Sequence, residues 1–156
     1  MRLNCFYILS FLSFFTISSY SQDASAIRKK HFNLDDGIAI DGYDPVAYFK
    51  NNKAKEGSKN FAVYYLGVTY YFSTAENKEE FKKNPSKYEP EYGGWCAYAM
   101  GAKGEKVSVD PETFKIINGK LYLFYNRAFN NTLKSWNKDE PNLKANADIS
   151  WNKIFK

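Results

Sequence analysis

Cysteine and histidine are scarce in this chain: two cysteines and one histidine in 156 residues. Cys5 falls in an N-terminal run expected to be removed, which leaves Cys96 unpaired and excludes an intramolecular disulfide in the mature chain. His31 is the sole imidazole, so a tetrahedral zinc site built from cysteine and histidine fails by count. Also lacking are a glycine-rich phosphate loop, a serine elbow and a zinc-protease helix. An activated nucleophile needs a base beside it, and Cys96 with His31, far apart along the chain, has no predicted geometry. No internal repeat of solenoid period is visible.

Long hydrophobic runs are also lacking. The start, MRLNCFYILSFLSFFTISSYSQ, has one charge at Arg2, an apolar stretch from about Cys5 to Ile17, and a small-residue ending at Ser19-Tyr20-Ser21. A membrane span needs roughly 20 apolar residues, whereas this pattern fits an export signal over residues 1–21, cleaved before Gln22. The expected location is therefore periplasmic or secreted, with no stable membrane insertion after cleavage. The formal charge of +5 comes from lysines interleaved with acids, as in ENKEEFKK, a pattern of solvated surface rather than a nucleic-acid footprint.

What the chain does have is aromatic material: 13 tyrosines, 13 phenylalanines and 3 tryptophans, enough for a core with tyrosine hydroxyls at its edges. Residues 22–36 are polar and aperiodic and are expected to form a flexible lead. The domain is expected over residues 37–156. Asp44-Pro45 marks a helix start, with Asp as N-cap and Pro at the first helical position. FAVYYL and VTYYFS flank Gly67 as a hairpin. Ser73 to Glu76 matches a capping box for a helix ending near Lys83, before Asn84-Pro85. TFKII and KLYLFY flank Asn118-Gly119, the pair that suits a type I′ turn. Phe129, Leu133 and Trp136, then Leu143, Ala147, Trp151 and Ile154, recur at helical spacing on either side of Pro141. The expected class is α+β: two antiparallel hairpins forming a small sheet, a capped helix after the first, and two C-terminal amphipathic helices.

The succession GYDPVAYF, YYLGVTYYFSTAENKEEFKKNPSKY, YGGWCAYAM and SVDPETFKIINGKLYLFYN resembles exported, single-domain members of the YHS-domain family, across residues 37–156. The resemblance implies a small α+β module and raises the expectation of a soft metal. The chain departs from the metal-handling members attached to copper pumps. Where those carry cysteines, it has Val46-Ala47-Tyr48 and Ser73-Thr74-Ala75-Glu76-Asn77, and Tyr71 and Phe72 stand near the place of the family's histidine.

The remaining soft donors are Cys96 and Met100. In a helix they lie one turn apart, which suits Cu(I), and a helix N-terminus favours a thiolate. The expected function is a non-catalytic binding module holding such an ion. Two alternatives stay open. One is an aromatic-lined pocket for a small organic ligand, formed by Tyr43, Tyr48, Tyr92, Trp95 and Tyr98 with Cys96 at its wall. The other is thiol redox or covalent chemistry at Cys96, against which stands an ordinary buried cysteine with Met100 as a gap-filler. Asp41, Asp44 and Asp110 are weaker candidates for acid–base work, because Asp-Pro at the latter two is explained by caps and turns.

Overall fold

The computed structural model describes residues 16–156, so most of the expected export signal lies outside the described residues. Helix α1 (Thr16–His31) crosses the expected cleavage point and occupies much of the stretch expected to be a flexible lead. The cause of this difference is a polar anchor and not an apolar stripe. Arg28 is only 8% exposed. Its Nε donates to the Leu66 carbonyl at 3.0 Å, and its guanidinium meets the Glu89 carboxylate and the Tyr70 hydroxyl. The Phe32 ring stacks under the same guanidinium at 4.4 Å.

Strands β1 (Leu34–Asp35) and β2 (Ile38–Ala39) follow, then helix α2 (Pro45–Asn51), the hairpin β3 (Ser58–Tyr65) and β4 (Val68–Phe72), and helices α3 (Ala75–Lys83) and α4 (Pro85–Tyr88). These four strands form one sheet in the order β1-β2-β4-β3, with β2 parallel to β4 and the other pairs antiparallel. Helix α5 (Ala97–Lys103) leads to the second hairpin, β5 (Asp110–Ile117) and β6 (Lys120–Phe124), which is a separate two-stranded sheet. A small hairpin, β7 (Asn126–Arg127) with β8 (Asn130–Asn131), precedes α6 (Thr132–Trp136) and α7 (Glu140–Ile154). The architecture is α+β. Among the described residues no helix is long and apolar enough to cross a membrane.

Local chemistry accounts for most of the boundaries. Asp44 caps α2 by accepting from the amides of Val46 and Ala47. Asn118 and Gly119 have φ of 51° and 74°, as a type I′ turn requires. The capping box is displaced by one residue. Thr74, not Ser73, caps α3 by accepting from the Asn77 amide, because the Ser73 amide and hydroxyl both donate to the Asp44 carboxylate. Phe129 also departs from its expected place. It is fully exposed at the β7–β8 turn, and helical backbone begins only at Thr132, capped by Asn131.

Two apolar clusters share the interior. The larger gathers Val46, Tyr48, Val68, Tyr70, Phe72 and Phe81 with Cys96, Leu121 and Leu123. The smaller packs Met100, Tyr122, Phe124, Trp136 and Ala147 between α5, β6 and α7. Helices α5 and α7 touch at backbone distance through Gly101, where any Cβ would collide with the Leu143 carbonyl. Leu143, Ala147, Trp151 and Ile154 all face this cluster, as their spacing predicts.

Candidate functional site

The stretch YGGWCAYAMG turns sharply before it becomes helix. Tyr92, Gly93 and Gly94 all have positive φ, and the chain then runs extended through Trp95. This sequence of turns places Cys96 inside, at the N-cap of α5, with its amide donating to the Val107 carbonyl at 2.9 Å. Cys96 is completely buried.

The thiol is held in a closed hydrogen-bond set. The Thr132 hydroxyl donates to the Tyr125 carbonyl at 2.9 Å and lies 3.4 Å from Sγ. With that proton committed, the S–H is the donor of the sulfur–oxygen contact. The Tyr125 amide in turn donates to Sγ at 3.4 Å. A thiol with one donor and one weak acceptor function has both occupied. Helix α5 has only seven residues.

Over this floor lies an open cleft of about 360 Å³. Tyr98, Ala99, Val107 and Tyr125 form its walls, and Lys103, Glu105 and Asn130 stand exposed at its rim. A volume in this range, apolar walls and a few polar groups at one end are the attributes of a small-molecule site. A smaller cleft of about 260 Å³ lies at the end of the four-stranded sheet, lined by Asp35, Asp41, Glu56, Lys59, Tyr43 and Tyr71. Burial and the nearby Asp35 hold the Asp41 carboxyl above its ordinary range, partly opposed by Arg127. Ile40 and Asp41 both have positive φ there, at 55° and 50°. Among the described residues no group of three or more His, Cys, Asp or Glu is arranged to hold a metal.

The expected aromatic cluster is dispersed. Tyr98 alone of the five lines the cleft with Cys96. Tyr43 lines the acidic cleft and its hydroxyl reaches Glu112 at 3.3 Å. Tyr48 is a core residue whose hydroxyl donates to the Pro111 carbonyl, and burial holds its phenol well above the ordinary range. Tyr92 packs in the smaller cluster, donating to Asp148 at 2.9 Å. Trp95 donates its indole N–H to the His31 carbonyl at 2.7 Å.

Cys96 and Met100 share one helical turn, with the Met100 amide donating to the Cys96 carbonyl at 3.0 Å. Their side chains nevertheless pack in different clusters, Met100 against Tyr122 and Trp136. His31 Nδ1 lies 3.2 Å from Lys106 Nζ, whereas the polar contacts of Sγ go to Thr132 and Tyr125. Asp110 closes a turn, accepting from the Glu112 amide and the Thr113 hydroxyl. Thr132 and Tyr125, which complete the thiol site, escaped the sequence reading. Asn131, a good N-cap directly before Thr132, was the available signal for an element starting there. The chain matches no family model, no curated protein and no solved structure.

Proposed function

We propose that the protein is an exported, non-catalytic binding module of the YHS type, and that its ligand is a small organic molecule seated in the cleft over Cys96. The observation that carries this reading is the closed polar floor. Sγ, the Thr132 hydroxyl and the Tyr125 peptide groups satisfy one another, so an occupant needs to offer them no hydrogen bonds. The suited ligand therefore has an apolar body against Tyr98, Ala99, Val107 and Tyr125, and a polar end reaching Lys103, Glu105 or Asn130 at the rim. Export is supported by the leader pattern of residues 1–21.

The test is a fragment screen by protein-observed NMR. Binding is expected to move the amide signals of Tyr98, Val107 and Tyr125 together, and Ala102→Trp, at the exposed rim, is expected to abolish it at unchanged melting temperature. Fragments that bind Ala102→Trp equally well, or a screen without hits at this cleft, refute the reading.

A second reading has a specific basis: Cys96, a soft donor, is among the residues lining the cleft. Cu(I) would displace the thiol proton, with Met100 turning from the neighbouring cluster to serve as a second soft donor. Cys96→Ser should then abolish Cu(I) uptake and Met100→Leu should weaken it. Equal uptake by both variants and the unmodified protein sinks this alternative.

A further inference from the structure

Five of the chain's 19 lysines pair with acids. Lys82, Lys83, Lys115, Lys120 and Lys144 each lie within 3.5 Å of a carboxylate oxygen. Lys106 is different. It is half-buried, no salt bridge joins it to an acid among the described residues, and its close polar contact is another base, His31 Nδ1 at 3.2 Å. Lys30, at the end of α1, adds a further positive charge to the same place: it is among the causes that lower both the His31 and the Lys106 pKa, after burial in each case.

A neutral imidazole is the form that tolerates this position. Its Nδ1 then accepts from the Lys106 ammonium, which leaves Nε2 carrying the ring proton. The surroundings are aromatic. Lys106 Nζ stands 5.7 Å from the Trp95 ring, the Trp95 indole N–H is already spent on the His31 carbonyl, and the Phe155 ring meets the imidazole edge-on at 6.3 Å. Two adjacent bases, with no salt bridge to an acid among the described residues and an aromatic wall beside them, suit an anion that accepts several hydrogen bonds at once.

We propose that Lys30, His31 and Lys106 form a binding site for a compact oxyanion of the phosphate class, bordered by Trp95. Binding supplies the missing negative charge, so His31 takes up a proton as the anion arrives and both bases become donors to it. The site involves none of the residues lining the cleft over Cys96 and stands or falls separately from that cleft's ligand.

The test follows the His31 ring signals by NMR against pH, in chloride and in inorganic phosphate at matched ionic strength. Phosphate is expected to raise the imidazole pKa by about half a pH unit or more, since an opposite charge at contact favours the charged form. Lys106→Met should raise the value in chloride, by removing a repelling charge, and should remove the response to phosphate. Lys30→Met gives a second variant at an exposed position with the same expectation in weaker form. A parallel titration with vesicles of anionic phospholipid separates a headgroup from the free ion: a response to vesicles alone moves the source to a lipid phosphate and keeps the site. Superimposable curves in chloride, phosphate and vesicles, or a phosphate response that survives Lys106→Met, overturn the proposal.

Discussion

Asp44 offers the sharpest test of how this fold is held together. Its carboxylate is completely buried and accepts from five donors. Oδ1 takes the amides of Val46 at 2.9 Å and Ala47 at 3.2 Å, while Oδ2 takes the Ser73 amide at 2.8 Å, the Ser73 hydroxyl at 2.6 Å and the Asn77 side-chain amide at 2.7 Å. One side chain thus starts α2, ends β4 and fixes α3. Asp44→Asn keeps Oδ1 as the helix cap and turns an N–H₂ toward the second group. The Ser73 hydroxyl can rotate and the Asn77 amide can flip, but the Ser73 backbone N–H cannot change its nature. Leaving one buried donor facing another costs about 2 kcal/mol, whereas Asp44→Ala also removes the cap and should cost about 4 kcal/mol. Urea unfolding followed by far-UV circular dichroism reads both values. An Asp44→Asn protein as stable as the parent would refute this account of the junction.

Arg28→Met is expected to cost about 3 kcal/mol, because it leaves the largely buried Glu89 carboxylate without its cation. The double change Arg28→Met with Glu89→Met should be less destabilising than the single one, and denaturant unfolding of both decides the point. Tyr122→Phe is expected to leave stability unchanged or raise it by up to about 1 kcal/mol. The Tyr122 hydroxyl is buried without a partner among the described residues, and burial together with Glu91, Asp148 and Glu140 holds its phenol above the ordinary range. A clear loss of stability in that variant would mean that the hydroxyl is bonded after all.

Features whose chemistry is complete within a few residues were legible in the sequence. Asn118-Gly119 carries its own backbone preference, Asp44-Pro45 its own cap and first turn, and the period of Leu143, Ala147, Trp151 and Ile154 its own buried face. The misses share one physical origin, a partner remote in sequence. Ser73 fails as a cap because Asp44, 29 residues earlier, is the stronger acceptor. Residues 22–31 hold few apolar side chains to mark a packed helix, and the group that anchors them is an arginine whose carboxylate lies 61 residues away. Phe129 fits a helical period, yet Ala128 turns the chain at φ 53° and leaves the ring in solvent. The site divides in the same way. Cys96 stood out by rarity and by the glycines before it, but its state depends on Thr132 and Tyr125, which no local pattern links to it. The aromatic cluster looked like one pocket because its members are near neighbours in two short stretches of chain. The positive-φ turn at Tyr92 to Gly94 breaks that proximity, carrying Trp95 toward His31 while Tyr98 turns to the cleft. The same turn is what brings a tryptophan wall up to two bases, His31 and Lys106, on opposite sides of the chain's length. An anion site assembled in that way leaves no motif in the sequence and is visible only as a lysine whose neighbour is a histidine instead of an acid.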